Sequence, residues 1–295
     1  MNKQTKGYLY AFISMVLLAL GYILNFYLTQ HTTAESAAFL LFGFGTLIAI
    51  AISFRYATKK DVKHITKHGK HLLAFGVLNG IGALLWFQTV QSAGPLVTGF
   101  LLRFATIFTI LLGVLFLKER FNKGEIAGIL LVVGGAFTIT YTDVSLLSSA
   151  VLAIIASFLF ALVALISSVH LKAVRPLVLN NVRIAIMFCM IASYTLLAGR
   201  LSIPGPGVLA VAALSALLTI VTALLLFFKA LRLIGLSKVA VIGALEPFFI
   251  VIFSFLILQR VPTPAQLAGG MVIMLGIGVL LYFRKKPKLV TEELE

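Results

Sequence analysis

The sequence predicts an all-α integral membrane protein with ten transmembrane helices, arranged as two inverted five-helix repeats. Three observations carry that prediction. The 295 residues are 61% hydrophobic and only 11% charged, with a mean hydropathy of +1.10, which is more apolar surface than a water-soluble domain of this size buries. Apolar runs of roughly 18–22 residues, the length that crosses a bilayer, recur from end to end. Residues 86–142 also slide onto 227–283 at an offset of 141 without a gap. That register pairs Phe87 with Phe228, Gly94 with Gly235, Phe108 with Phe249, Gly128 with Gly269 and Gly135 with Gly276. Five spans per half is an odd number, so the second half enters the membrane from the opposite side. Inverted repeats of this kind bind substrate at their interface near the midplane.

Taken in order, the spans fall at 7–28, 34–54, 71–91, 96–117 and 124–142, then 147–169, 178–198, 207–229, 237–258 and 264–283. The first run is long enough to remain as a span rather than serve as a cleaved leader. Ser92-Ala93-Gly94-Pro95 reads as a tight turn between the third and fourth spans, and Pro204-Gly205-Pro206-Gly207 as the loop between the seventh and eighth. The two repeats are therefore 7–142 and 147–283, followed by a tail at 284–295. Gly124-x3-Gly128 and Ala265-x3-Gly269 are pairs of small residues that let helices approach closely, and they speak for packing rather than for a substrate.

Charge sets the orientation. The net charge of +15 does not point to nucleic acid, because the basic residues sit in short connections between spans. Of the 24 Lys and Arg residues, 19 fall on the side that carries both termini, and only Arg200 and Arg260 on the other. By the positive-inside rule both termini lie in the cytoplasm, with anionic lipid as the partner of the basic segments. The single cysteine, Cys189, excludes a disulfide framework and a cysteine metal cluster. In the connection after the second span, Asp61, His64, His68 and His71 share a face if helical, but the neighbouring lysines favour a basic interfacial segment over a metal site.

The functional residues are read around Gly243-Ala244-Leu245-Glu246-Pro247-Phe248-Phe249. Glu246 reads as the only intramembrane acid. A carboxylate near the bilayer centre costs about 2.5–3.5 kcal/mol on insertion scales, so it is seldom kept for packing. Pro247 removes the amide hydrogen that closes on the Gly243 carbonyl. A charge and an open carbonyl thus meet at one depth. In the repeat register Arg103 matches Ala244 and Glu246 matches Ala105, which puts the two charges at similar depth in the fourth and ninth spans. The pair is read as substrate-binding, and the alternative is a buried structural ion pair. Opening the site to either side changes how well the Glu246 charge is supported, which makes it the candidate for coupling to protons.

Polar stripes on three further spans suggest a shared aqueous cavity. The first span carries Ser14, Leu18, Tyr22 and Asn25 on one face, the third Asn79, Ala83 and Trp86, and the eighth Ser215, Thr219 and Thr222. Tyr22, Asn25, Asn79 and Trp86 are assigned to substrate binding, Trp86 as a wall for a flat or apolar group. The hydroxyls are assigned to interhelical hydrogen bonds, worth about 0.6 kcal/mol each. Arg183 and Lys229, close to span ends, are read as snorkelling to the cytoplasmic surface.

Two stretches resemble a known family. Gly94-Pro95, the following span, Phe116-Leu117-Lys118-Glu119-Arg120, then Gly124, Gly128 and Gly134-Gly135 resemble the first repeat of the EamA-type drug/metabolite transporters, the DMT superfamily. Leu245-Glu246-Pro247-Phe248 and the span after it resemble the second repeat. The resemblance covers about residues 7–283. It implies ten helices, a multi-pass place in the inner (plasma) membrane, no cofactor, and alternating-access movement of a small metabolite or drug, usually outward. Family members often end both the fourth and ninth helices with glutamate; here Glu119 is matched by Arg260, and Pro247 by Thr106.

The expected function is a secondary transporter exporting an amino acid or related amphoteric metabolite, as monomer or homodimer. A proton-coupled exporter of cationic drugs or amines is second. A membrane-embedded enzyme is the remote alternative, since the spans carry no His-Glu-x-x-His motif, aspartate-rich metal site or deep histidine. A channel would need a ring of like charges or a filter loop.

Overall fold

The computed structural model describes residues 2–56, 65–117, 123–141, 146–170 and 174–283, and every regular element among them is helical. In chain order these are α1 (Lys3–His31), α2 (Ala34–Tyr56), α3 (Gly69–Leu101), α4 (Phe104–Leu117), α5 (Lys123–Tyr141), α6 (Leu146–His170), α7 (Pro176–Leu197) and α8 (Pro206–Ser215). A π-helical stretch, Ala216–Ala223, then leads into α9 (Leu224–Ile234), α10 (Leu236–Gly243), α11 (Glu246–Leu258) and α12 (Pro264–Phe283). A helix satisfies its own backbone, which is what an apolar sequence requires where no water can do so. Pro176 and Pro206 open α7 and α8, where a missing amide hydrogen costs nothing. Large apolar side chains such as Leu115, Leu130, Phe137, Leu256 and Leu275 remain on the outside of the bundle, as expected of a surface that meets lipid.

Nine helical segments among the described residues are long and apolar enough to cross a membrane. The expected fourth span, 96–117, is not one continuous helix. α3 is interrupted at Gly94, whose φ of 77° and ψ of 172° are not helical, and residues 95–101 follow as a short separate piece. The chain breaks again at Leu102–Arg103 before α4 begins. The second half repeats this plan. Gly235, the residue that the repeat register pairs with Gly94, has φ 79° and ψ 165°, and is followed by the short α10, a break at Ala244–Leu245, and α11. Left-handed φ is open to glycine at little steric cost, which accounts for glycine at both turns.

α3 lies centrally, against α1, α2, α6 and α7, while α1 packs on α9, α11 and the π-helical stretch. α5 and α12 form the closest pair. A Cβ on Gly128 would stand 2.8 Å from the Gly276 carbonyl, and one on Gly135 2.5 Å from that of Gly269. Ascending positions on α5 meet descending ones on α12, so the two helices run antiparallel. The π-helical stretch has carbonyls out of register with its amides, and neighbours compensate: Ser14 Oγ donates to the Ala223 carbonyl at 2.7 Å and Asn180 Nδ2 to that of Ile220 at 3.1 Å.

Two acids besides Glu246 lie in the spans. Glu35 and Glu125, in the first turns of α2 and α5, are both buried, so Glu246 is not the only one. Arg200 Nη1 donates to Glu35 Oε1 at 2.6 Å, with Gln88 Nε2 at 3.4 Å from the same oxygen. Thr33 and Ser36 donate to the Arg200 carbonyl at 3.0 and 2.9 Å. The α7–α8 connection is thereby fastened to the α1–α2 turn, and hydrogen bonding to Glu35 pushes the pKa of the Arg200 guanidinium up from its ordinary value. Asp61, His64 and Glu119 lie outside the described residues.

Candidate functional site

The site forms where the two broken helices meet. At the first break the amide of Arg103 donates to Phe100 O at 3.1 Å, that of Ala105 to Leu102 O at 3.1 Å and that of Thr106 to Arg103 O at 3.0 Å. At the second, Leu245 donates to Ile242 O at 3.0 Å and Phe248 to Leu245 O at 3.1 Å. Both are turns tightened to three-residue spacing, which leaves carbonyls of the preceding helix without their usual donors. Pro247 adds to this at the second break, because it has no hydrogen to offer the Gly243 carbonyl.

Arg103 supplies the missing donor. Its Nη1 donates to Gly243 O at 3.0 Å, while its Nη2 donates to Glu246 Oε2 in a short ion pair. One guanidinium therefore spans the break of the opposite helix, holding the last carbonyl before it and the first side chain after it. Glu246 also opens α11, where the exposed amides of a helix start favour a negative charge. The two side chains are 13% and 12% exposed, so neither charge is well hydrated and each depends on the other. Removing one member of such a pair typically costs about 3–5 kcal/mol, because the remaining charge is left buried alone. Arg103 Nε is buried with no hydrogen-bond partner among the described residues.

Tyr22 stands beside the pair and brings further aromatic rings near it. Tyr22 is buried, close enough to Arg103 and Trp86 to interact with both, and its ring meets that of Trp86 edge to face at 5.1 Å. Phe249, in the first turn of α11, packs edge to face on Phe12 at 5.8 Å. The structure thus gathers Glu246, Arg103, Tyr22 and Trp86 in one place.

Asn25 and Asn79 stand apart. Asn25 accepts a hydrogen bond from Ser215 Oγ at 2.9 Å, a buried bond between α1 and α8. Asn79 lies two turns from Trp86 along α3, about 10 Å at 1.5 Å per residue, and lines a different cavity together with Arg183. The stripe on α3 is real, but its two ends serve two depths. At the other end of the bundle, a cavity of about 350 Å³ beside the Gly94–Pro95 turn is bordered by Ser254, Arg260, Thr263 and Gln266. The Arg260 guanidinium there lies 4.7 Å over the Phe26 ring.

Comparison with known proteins places this architecture. The profile of the EamA-like transporter family matches residues 5–141 and again residues 147–282, nearly the whole chain in two copies. The chain belongs to the EamA-like transporter family. EamA proteins are members of the DMT superfamily of membrane transporters. A crystal structure of another protein superposes on this EamA-like chain with a TM-score of 0.68, over 96% of this chain and all of that one, at 14% identity; it is similar in fold. No curated protein matches the sequence. The double match agrees with the two Gly turns and two helix breaks described above.

Two features of the EamA-like chain escape a reading of its sequence. Arg183, read as snorkelling, is 4% exposed. Its signal was the neighbouring Asn180, one helical turn back and able to cap a guanidinium. Glu35 sits at the edge of a span, and its signal was Arg200, one of only two cations that the charge count leaves apart from the other 19, which called for a partner.

Proposed function

We propose that this protein is a secondary active transporter that exports a small amphoteric metabolite, an amino acid or a close analogue, across the inner (plasma) membrane. It uses ten spans, the fourth of them the broken pair at 95–117, in two inverted halves, 7–142 and 147–283, with both termini cytoplasmic. Alternating access rocks the halves about the Arg103–Glu246 pair. The observation that carries the reading is the Arg103 guanidinium, bound at once to the Gly243 carbonyl and the Glu246 carboxylate across two helix breaks.

The chemistry favours a zwitterion. In this structure the two charges satisfy each other. An amino acid can replace both partners together, its ammonium taking Glu246 and its carboxylate taking Arg103, so no charge is left unpaired at any stage. The arginine fork fits a carboxylate in two parallel hydrogen bonds. Exchange of partners lets the breaks separate without exposing bare charge, which couples occupancy to movement of the halves.

A second reading has its own support. Trp86 and Tyr22 beside Glu246 form the aromatic and acidic surroundings that suit an organic cation. A cationic amine would occupy Glu246 alone and leave Arg103 on Gly243.

Counterflow in proteoliposomes tests both. The purified protein should exchange labelled amino acid without converting it, which separates a carrier from an enzyme. Arg103→Leu should weaken zwitterion binding about 10- to 150-fold, the worth of a charge-assisted hydrogen bond, and affect simple amines far less. Arg103→Lys should restore only part, since the fork is lost. Equal loss for both ligand classes would make the pair structural.

A further inference from the structure

Arg183 occupies an unusual position for a cation. It is 4% exposed on α7. Its Nη2 donates to Asn180 Oδ1 at 3.0 Å, and its Nη1 points to Met187 Sδ at 3.4 Å, a weak acceptor. Its Nε is buried with no partner, and no carboxylate pairs with it among the described residues. Lys229, near the same end of the bundle, is exposed. The contrast separates a cation on the outside of the bundle from one held inside it.

Arg183 borders a cavity of about 190 Å³ enclosed by α3, α6, α7 and α9. The walls are largely apolar, with four phenylalanines, Phe75, Phe160, Phe227 and Phe228, and no acidic residue lines it among the described residues. Asn79 reaches it from α3, is 6% exposed, and makes no side-chain hydrogen bond among the described residues. An apolar recess with a few convergent polar groups is the usual form of a small-molecule site. Here the polar groups are a buried guanidinium without an anion and the Asn79 amide without a partner among the described residues, together with the Ser167 hydroxyl. What the cavity lacks is one negative charge.

We propose that this cavity is a binding site for a small monocarboxylate with an aromatic or branched apolar body. The carboxylate takes the Arg183 guanidinium, with Asn79 as a further donor, and the body lies among the phenylalanines. A single guanidinium matches a single planar carboxylate, whereas a phosphate would call for more donors than the walls provide. The volume is below the roughly 300–1,000 Å³ of sites for drug-sized ligands, so the occupant is compact. The same chemistry has two sources: a soluble organic acid, or the head of a fatty acid from the surrounding bilayer. The site is independent of the Arg103–Glu246 reading, with which it shares no residue.

Calorimetric titration of the purified protein with phenylacetate, and with phenylacetamide as its neutral counterpart, tests the assignment. Phenylacetate should bind saturably, and phenylacetamide at least about 10-fold more weakly. Arg183→Met should abolish phenylacetate binding. Because that change also removes the bond to Asn180 and can impair folding, Ala164→Phe serves as the second variant: it fills the cavity, keeps the charge, and should lose binding while eluting as a monodisperse species. Decanoate as competitor separates the sources. Competition together with fatty acid extracted from the native protein, but not from Ala164→Phe, assigns a lipid occupant; competition without bound fatty acid assigns a soluble acid. The proposal is overturned if neither phenylacetate nor decanoate binds, if the amide binds as tightly as the acid, or if Ala164→Phe leaves binding unchanged.

Discussion

Glu246 and Arg103 share a setting in which neither charge is stable alone, and this defines what a substitution at either can reveal. Glu246→Gln keeps the shape and one acceptor but removes the charge, imitating a protonated carboxyl. If Glu246 carries the coupling proton, uptake driven by a pH gradient should be lost in this variant. Substrate exchange, which needs no net proton movement, should survive in part. The measurement is gradient-driven uptake and counterflow in the same vesicles, normalised to monodisperse protein. A folded Glu246→Gln protein that still concentrates substrate removes Glu246 from coupling. The legible part of this site was its local chemistry: a proline following an acid frees the carbonyl of Gly243 in any helix, whatever surrounds it. The acceptor's partner was harder to read. Arg103 could be placed at the right depth from the repeat, but its bond to Gly243 depends on how two helices 140 residues apart are rotated. The cavity that Asn79 lines was hard to read for a related reason. Its spacing from Trp86 fixes a face of α3 and says nothing about which neighbour covers each turn.

At the scale of elements, the α5–α12 contact makes a sharp contrast between adjacent residues. Gly135 is buried with the Gly269 carbonyl 2.5 Å from where its Cβ would be, while Gly134 has open space around it. Gly135→Ala must push backbone apart, and overpacking of this kind costs about 1–3 kcal/mol. Gly134→Ala should be neutral or stabilising by up to about 1 kcal/mol, since it only removes glycine's freedom from a helix interior. Thermal unfolding in detergent followed by fluorescence checks both, and a Tm that falls equally in the two variants would contradict the interface. Small-residue spacing made this contact readable as packing, though not which helix would be the partner. The break before α4 left less trace. Leu101 to Phe104 contains neither glycine nor proline, and only Arg103, a cation within an apolar run, marked the place. The turn at Gly94–Pro95 was plain, because proline and a left-handed glycine break any helix.

For the whole molecule, the uneven distribution of lysine and arginine makes the orientation testable. Both termini and the 55–70 connection should face the cytoplasm, and 143–147 and 200–206 the outside. Cys189 is exposed and must first be replaced. Single cysteines placed in those segments should then react with an impermeant maleimide only from the expected side, and labelling of position 65 from outside intact cells would reverse the assignment. The two halves are alike in plan, down to the backbone angles of Gly94 and Gly235, but they differ where it matters. Arg103 corresponds to Ala244, and Glu246 to Ala105. Two copies of the first half would bring two guanidinium groups and no carboxylate to the breaks, two copies of the second half two carboxylates, and like charges at that depth would repel. Neither half carries the pair by itself: the ion pair across the breaks belongs to the joined chain, in which each half supplies the charge that the other lacks.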